Sequence, residues 1–338
     1  MNTRGSDTCV GRAQLVFILL AAGCTATRNV GSSVPHGLLP VDERNPILLA
    51  NDGAYDNWQG EYAILLANGG GPRLAGIIVN TSAPWPDLAK NIVGWRGLVA
   101  AARASGLRNI PDPIASTGPP LARPASGQLD DTTPNRSEGA HEIVDVSLSL
   151  ALPYRPLVVV TGGRLTDVAD AYLIDPSVTE RVVVVSSMGA TTSTGAAMGP
   201  PNGEMDPWAD SIVASRFRFV QVSAFYDQTT DVPKARLSDL PANPFGAWMA
   251  AKQPSIFDLA QAADQVSVLA VGIPSFVAAV ERVSAAAPVG TGATSGPDLV
   301  TDPNGPLLLV TQNASADAMS RFWRLLLDPE TYRAGPNP

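Results

Sequence analysis

The sequence predicts an α/β fold with a mostly parallel sheet that carries helices on both faces. Short apolar runs, typical of buried strands, alternate with longer helical segments along the chain. Several of the apolar runs end in oxygen-bearing residues. Because ligands of open α/β sheets bind at the carboxyl ends of the strands, we expect a polar site along that edge.

The composition limits the classes of function. The 338-residue chain is 45% hydrophobic, which is enough apolar material for one large core or two small ones. Its net charge of -8 argues against nucleic-acid binding, because that function needs a basic face. With only 2 histidines, a multi-histidine metal site is not expected.

The amino terminus has the features of an export signal. Two arginines precede an apolar stretch at residues 15–22, which is too short to span a membrane as a mature helix. The stretch ends in Leu-Ala-Ala-Gly-Cys at residues 20–24, which resembles the lipobox of bacterial lipoproteins, although Ala21 stands where Leu is usual. Processing there would leave Cys24 as a lipidated first residue. An ordinary cleaved signal peptide is the alternative.

Lipidation of Cys24 would place the protein in the bacterial cell envelope, on the outer side of the cytoplasmic membrane or in the periplasm. The lipid anchor would be its only membrane contact. Cys9 would leave with the signal (residues 1–24), so neither a disulfide nor cysteine catalysis would remain. Residues 25–45 lack periodicity and predict a tether. We expect a domain over residues 46–330 and a tail over residues 331–338.

The first strand and the loop after it carry the strongest functional signal. Four apolar residues, 47–50, predict a buried strand, and Asn51, Asp52, Asp56 and Asn57 follow within seven positions. Acids and amides this close repel or compete unless a cation or a polyhydroxyl ligand lies among them. The structural alternative is that Asp56 caps the next helix and Asp52 supports a turn.

The other elements follow in alternation. The pattern predicts further strands at residues 74–80, 156–160, 181–186, 217–223 and 307–311. It predicts helices over residues 62–67, 92–104, 139–150, 168–173, 206–215, 255–260 and 315–327. Residues 111–138 lack periodicity, which is typical of a lid or a disordered flap, and residues 290–296 predict a flexible linker. His36 is expected to be exposed, and His141 to be a surface or packing residue.

Five motifs occur in a characteristic order. They lie at residues 50–57, at residues 161–167 (Thr-Gly-Gly-Arg-Leu-Thr-Asp), and at residues 188–189, 203–206 and 257–258. This order resembles the inosine/uridine-preferring nucleoside hydrolase superfamily, over roughly residues 46–327. The resemblance implies a Rossmann-like, nucleoside hydrolase-like domain. It also implies a Ca²⁺ ion at the carboxyl edge of the sheet and a nucleoside or sugar as the small-molecule ligand.

The resemblance also implies roles for individual residues. The calcium ligands would be Asn57, the backbone carbonyl of Thr161, and Asp258. The sugar would be bound by Asp56, Asn80, Glu204 and Asp206. Asp52 matches a supporting acid of the first motif, and Asp52 and Asp56 are the only carboxylates of that loop that could act as the catalytic base.

Two positions depart from the family pattern. Ala50 replaces an Asp that is both metal ligand and general base, and Phe257 replaces a proton-donating His. A site with so few carboxylates should bind calcium weakly, and losing a well-placed base costs about 10² to 10⁴ in rate. Three interpretations stay open: a surface-anchored hydrolase of a nucleoside or related glycoside, a catalytically impaired sugar- or nucleoside-binding lipoprotein, and a structural lipoprotein.

Overall fold

The computed structural model describes residues 35–53, 58–187, 202–222, 230, 232–252, 264–286 and 297–333, which belong to one compact unit. No helix within these ranges is both long and apolar enough to cross a membrane. The predicted lipidation site Cys24, the linker at residues 290–296 and the helix at residues 255–260 lie outside them.

Nine strands of the described chain form one sheet at the centre of the domain. In chain order they are β1 (Ile47–Asn51), β2 (Leu74–Val79), β3 (Pro113–Ala115), β4 (Leu157–Thr161), β5 (Val182–Ser187), β6 (Arg218–Val222), β7 (Val277–Ala286), β8 (Asp298–Thr301) and β9 (Leu307–Asn313). Their spatial order is β3-β2-β1-β4-β5-β6-β9-β7-β8. Pairing is parallel from β3 to β9 and antiparallel at β7 and β8. The predicted mostly parallel sheet is confirmed.

Helices cover both faces of this sheet. They are α1 (Gln59–Asn68), α2 (Leu88–Ala104), α3 (Glu138–Leu150), α4 (Thr166–Ile174), α5 (Val178–Arg181), α6 (Pro207–Arg216), α7 (Pro244–Lys252), α8 (Gln265–Gly272) and α9 (Ser315–Leu327). Side chains of a strand alternate between faces, so Ile47 and Leu49 enter one hydrophobic core, while Leu48 and Ala50 enter a second one. The first core packs α1, α2, α8 and α9, and the second packs α3, α4 and α6.

The strand order reverses between β1 and β4. The chain moves outward from β1 through β2 to β3, and then crosses back to place β4 on the other side of β1. The loops that leave the carboxyl ends of β1 and β4 therefore diverge. Such a reversal opens the crevice in which α/β sheets bind ligands.

The predicted disordered flap at residues 111–138 is wrong, and the alternative, a lid, stays a prediction. This segment contains strand β3 and is fixed to the domain by hydrogen bonds. The Ser116 hydroxyl donates to Asp167 Oδ1 (2.6 Å), and the Leu121 backbone N–H donates to Asp206 Oδ2 (2.9 Å). Its many prolines and glycines indicate irregular backbone, but its polar groups find partners on α4 and before α6.

Part of the predicted tether is also folded onto the domain. Leu39 is 4% exposed and Val41 is 1% exposed, and both belong to the first hydrophobic core. Two isolated apolar residues produce no periodic pattern, which is why the sequence indicated a tether over residues 25–45. The side chain of His36 is exposed, as predicted.

The end of α2 depends on Gly106. Gly106 has φ +95°, in the left-handed region that glycine adopts without strain. Its N–H donates to the Arg103 carbonyl (3.0 Å), and the next N–H, of Leu107, donates to the Ala102 carbonyl (3.1 Å). A Cβ at Gly106 would lie only 2.1 Å from the backbone oxygen of Tyr332.

We expect Gly106→Ala to lower the free energy of unfolding by about 3 kcal/mol, because it adds a steric overlap to the left-handed strain. Gly70→Ala is the matched control. Gly70 has φ +80° but no atom within 4 Å of an added Cβ, so only the strain of about 1 kcal/mol applies. Urea unfolding of both variants measures the difference, and equal losses would contradict the role of the Tyr332 contact.

Candidate functional site

Polar residues follow four neighbouring parallel strands at one edge of the sheet. Asn51 ends β1 and Asp52 follows it, Asn80 follows β2, Thr161 ends β4, and Ser187 ends β5. The register places Ala50 beside Thr161 and Thr161 beside Ser186, so these ends are level with one another. The structure therefore brings the predicted residues Asp52, Asn80 and Thr161 to one edge.

Gly162 and Gly163 let these side chains approach the backbone closely. A Cβ at Gly162 would lie 2.3 Å from Asn51 Nδ2 and 2.5 Å from Asp264 Cγ. A Cβ at Gly163 would lie 3.3 Å from Asn80 Oδ1 and 3.6 Å from the carboxyl carbon of Asp52. Each glycine therefore lies beside its own group of polar side chains: Gly162 beside Asn51 and Asp264, and Gly163 beside Asn80 and Asp52.

The group beside Gly162 is organised by Asp264, which directly precedes α8 and is 2% exposed. Asp264 Oδ1 accepts hydrogen bonds from the Ser187 hydroxyl (2.6 Å) and from Asn202 Nδ2 (3.0 Å), and Oδ2 accepts one from Asn51 Nδ2 (3.2 Å). The Ser187 hydroxyl also lies 3.2 Å from the Thr161 carbonyl oxygen. Neutral donors therefore surround this buried carboxylate.

The sequence reasoning missed this group. It assigned the late acid to Asp258, which lies outside the described residues, so that assignment stays a prediction. Asp258 was selected because residues 257–258 resemble the family's late motif, whereas Asp264 matches no motif and stands before a mostly apolar run at residues 266–271. Gln59, whose Oε1 accepts from Asn51 Nδ2 at 2.7 Å, carried no signal, because glutamine in a first helical turn is common.

The group beside Gly163 contains Asp52, which is 1% exposed. Burial raises the pKa of the Asp52 carboxyl, against hydrogen bonds from the Ser82 side chain and the Gly53 N–H (2.6 Å) and against the charge of Arg164. Asn80 donates to Asp167 Oδ2 at 2.9 Å. A carboxylate with a raised pKa is a stronger base, which suits the predicted role of Asp52.

Arg164 follows the double glycine and is only 6% exposed. Its Nη2 donates a hydrogen bond to the Gly118 carbonyl. Burial lowers the pKa of the Arg164 guanidinium, and the charges of Asp167, Asp206 and Asp52 act in the opposite direction. In the sequence, Arg164 is part of the glycine-rich motif at residues 161–167, and no role was predicted for it.

Asp206 is a buried N-cap of α6. Its carboxylate accepts hydrogen bonds from the Ala209 N–H (3.1 Å), the Thr166 hydroxyl (2.6 Å) and the Leu121 N–H (2.9 Å), and burial raises its pKa. It connects α4, α6 and the segment after β3. Its predicted contact with a sugar stays a prediction. The predicted roles of Asp56, Asn57 and Asp258, which lie outside the described residues, and of the Glu204 side chain also stay predictions.

The described residues do not fit a tight calcium site. Ca²⁺ takes six to eight oxygen ligands, several of them carboxylates. Around the Thr161 carbonyl the described chain supplies one carboxylate, Asp264, whose oxygens already accept from three neutral donors. Ala50 is fully buried in the second hydrophobic core, so it offers no ligand.

A separate group of three residues that could bind a metal ion lies before β1. His36, Asp42 and Glu43 each have one ligand atom within 4.8 Å of the others. Asp42 is already paired with Arg44, which holds the pKa of that carboxyl below its usual value against the effect of burial. This group lies at the amino end of β1, whereas the predicted calcium site lies at its carboxyl end.

Four buried polar atoms at the edge have no hydrogen-bond partner among the described residues. Two are the acceptors Asn51 Oδ1 and Asn80 Oδ1, one is the donor Nε of Arg164, and one is the hydroxyl oxygen of Thr161. Buried polar groups are normally paired, so a ligand with both donor and acceptor groups would complete this edge. Hydroxyl groups have both functions.

We expect Asp264→Ala to lower the free energy of unfolding by about 3 kcal/mol, because Ser187, Asn202 and Asn51 lose a shared buried acceptor. Asp239→Ala removes an exposed acid that is paired with Arg236, and should cost less than about 1 kcal/mol. Chemical unfolding of both variants provides the comparison. A loss for Asp264→Ala as small as that of the control would show that the carboxylate does not organise the group.

The raised pKa values of Asp52 and Asp206 predict a pH dependence. The folded protein keeps protons that the unfolded chain releases near the ordinary value of 3.8, so their contribution to stability is full below about pH 4 and is lost as the pH rises through the folded-state pKa. Asp52→Asn removes one such group. The free energy of unfolding of this variant should therefore fall less steeply above pH 4 than that of the wild type, and parallel profiles would refute the assignment.

No protein-family model and no curated protein sequence matches the chain. Solved structures do. A plant nucleoside hydrolase, PpNRh1, has 17% identity and a TM-score of 0.58, with 87% of this chain and 100% of that chain covered. The inosine-uridine preferring nucleoside hydrolase of Bacillus anthracis has 14% identity and a TM-score of 0.61, with 84% and 99% covered. The type III effector XopQ, in complex with adenosine diphosphate ribose, has 13% identity and a TM-score of 0.52, with 88% and 94% covered. The chain therefore has the nucleoside hydrolase-like fold.

Proposed function

We propose that this chain is a nucleoside hydrolase-like N-glycosidase that acts on a ribonucleoside or a related glycoside. The observation that carries the proposal is the set of unpaired buried atoms on Asn51, Asn80 and Arg164, next to the buried carboxylate of Asp52. The hydroxyl groups of a sugar would pair with all three, because each can donate and accept.

The structural likenesses support this ligand class. Two of the solved proteins with this fold are nucleoside hydrolases by their descriptions, and a third is complexed with adenosine diphosphate ribose. All three descriptions name a nucleoside or a ribose-containing molecule. We propose that the ligand binds in the crevice between β1 and β4.

Hydrolysis of an N-glycosidic bond passes through an oxocarbenium-like sugar. In the proposed reaction, Asp52 takes a proton from water, the water oxygen bonds to the anomeric carbon, and the C–N bond breaks as the leaving nitrogen keeps the electron pair. Asp56, Asn80, Glu204 and Asp206 would hold the sugar. Phe257 offers no proton to the leaving base, so turnover should be slow.

Calcium at this edge would be weakly held. Asn57, the Thr161 carbonyl and Asp258 are the proposed ligands, and Asp264 is a further carboxylate beside Thr161. This set has few negative charges, which supports binding in the millimolar range or weaker. The reaction proposed above uses only side chains of the chain and water.

The alternative is a catalytically impaired sugar- or nucleoside-binding lipoprotein. The burial of Ala50 in a hydrophobic core favours it, because no acid replaces the family's base at that position. In both proposals Cys24 anchors the protein by lipid in the bacterial cell envelope, and the partner is a small molecule.

Both proposals can be tested on the chain from residue 25 onward. The chain is incubated with purine and pyrimidine ribonucleosides, the released reducing sugar is assayed, and nucleoside binding is measured by calorimetry. We expect slow release that Asp52→Asn lowers by about 10² to 10⁴. Asp112→Asn, at an exposed acid paired with Arg103, is the matched control and should not change the rate. Binding without release would favour the alternative, and neither binding nor release would refute both.

A further inference from the structure

We propose that the amino edge of the sheet, where the central parallel strands begin, is a docking surface for a bilayer that contains anionic lipids. This surface adds a second membrane contact to the Cys24 lipid anchor of the proposed function, whereas the sequence predicted the lipid alone. The orientation of the domain rests on that anchor, and nothing in it rests on hydrolysis of a nucleoside. Three observations support the surface: a row of arginines, a cluster of exposed apolar side chains, and the point at which the chain enters the domain.

Arginines precede every central parallel strand. The three positions before β1, β2, β4, β5 and β6 include an arginine in each case: Arg44, Arg73, Arg155, Arg181 and Arg216. Glu180 is the only acid among these positions. Adjacent parallel strands begin at one edge and lie about 4.8 Å apart, so the strand starts form a row about 19 Å long. This row places basic side chains along the amino edge.

Part of this positive charge is not neutralised within the described chain. Three of the arginines form ion pairs with neighbouring acids. Arg73 is exposed and Arg155 is half-buried, and neither forms an ion pair with a described residue. Guanidinium groups bind phosphate oxygens, and basic side chains are attracted to anionic headgroups. Arg73 and Arg155 therefore provide charge complementarity to an anionic lipid surface.

Exposed apolar side chains cluster beside Arg155. Leu148, in the last turn of α3, is 62% exposed, and Leu152 and Tyr154, in the turn before β4, are 45% and 48% exposed. Two backbone hydrogen bonds between Leu152 and Arg155 (3.0 and 2.9 Å) close this turn. Of the seven large apolar side chains that the described chain exposes, three lie in this short stretch. Leucine and tyrosine side chains enter the headgroup region of a bilayer, so the cluster supplies the apolar part of the contact.

The chain enters the domain at the same edge. The backbone N–H of His36 donates to Asp42 Oδ2 (3.1 Å), and Asn45 Nδ2 donates to the carbonyl of Pro156 (2.8 Å), which directly precedes β4. Residues 25–34 separate the predicted lipid from the described domain, and a stretch of this length spans at most about 40 Å. Such a short connection favours contact of this edge with the bilayer. The cleft is at the opposite, carboxyl edge, so a docked domain leaves it open to the medium.

Hydrogen exchange of the full-length chain on lipid vesicles tests the proposal. One set of vesicles contains phosphatidylcholine alone, and the other an equal mixture with anionic phosphatidylglycerol. On the mixed vesicles, the backbone N–H groups of residues 148–155 should exchange about tenfold more slowly than in solution, as expected for a surface that is bound about nine-tenths of the time. The phosphatidylcholine vesicles and about 1 M NaCl should each remove this protection. Residues 80–87, at the carboxyl edge, should exchange equally in all conditions.

Two matched double variants test the arginines. Arg73→Gln with Arg155→Gln should weaken docking about 30-fold, which would leave less than about twofold protection on the mixed vesicles. Lys90→Gln with Arg96→Gln removes the same charge from exposed positions of α2 and should keep the protection.

A second pair of variants tests the apolar cluster and keeps the test decisive if the arginine variant does not fold. Leu152→Ser with Tyr154→Ser should also reduce the protection below about twofold, with each variant compared with itself in solution. Val93→Ser with Val300→Ser alters two exposed apolar residues on other elements and should keep the protection.

Three results would overturn the proposal: no protection on the mixed vesicles, equal protection on both kinds of vesicle, or equal losses in a variant pair and its control. Protection that appears in solution as the protein concentration rises would assign this edge to a second copy of the chain and would also overturn it. Because no readout uses a nucleoside, a negative result here differs from a failure of the proposed glycosidase.

Discussion

This structure depends on one constraint: buried carboxylates need hydrogen-bond donors in place of the water that would otherwise solvate them. Parallel strands bring their carboxyl ends to one edge, and here that edge contains Asp52, Asp167 and Asp264, each no more than 2% exposed. Water cannot solvate these acids. Each instead accepts hydrogen bonds from hydroxyl, amide or backbone donors. Irregular segments of the chain are held in place because they donate hydrogen bonds to these acids.

The segment between β3 and α3 shows the effect most clearly. The Ser116 hydroxyl donates to Asp167, and the Ser137 N–H donates to Asp170 of α4 at 2.8 Å. The Ser137 hydroxyl lies within hydrogen-bond distance of both carboxylates, 2.8 Å from Asp170 Oδ2 and 3.0 Å from Asp167 Oδ1. Leu121 and Leu129 pack the segment on the second hydrophobic core, and these acids add polar contacts to that anchor. Its order therefore depends on the same carboxylates that form the floor of the cleft.

The sequence was sufficient for the parts of the fold that are determined by local pattern. The valine run of β4 and the apolar runs of β1 and β2 form central strands where predicted, because buried parallel strands require continuous apolar residues. The strand β7, with the sequence VAAVERVSAA, was missed, since alanine and charged residues are weak strand formers and its place comes from pairing with β9.

The site was predictable only in part, because some of its residues come together only through tertiary packing. Asp52, Asn80 and Thr161 each directly follow or end a recognisable strand, and the roles of Asn80 and Thr161 came from the resemblance to a known family. Asp264 and Asn202 reach the same edge from other parts of the chain, and their proximity to Ser187 depends on tertiary packing. Arg164 is a long charged residue in a short turn, which normally indicates solvent exposure; only its surroundings show that it is buried.

The reversal of strand order between β1 and β4 has a consequence for how such a protein can change over time. The crevice results from the paths of the backbone and not from any one side chain. Replacement of Asp52 or of its neighbours would alter the chemistry of the floor while the opening persists. A lineage with this topology can lose one reaction, pass through a stage of simple ligand retention and acquire another, and the scaffold need not be built again.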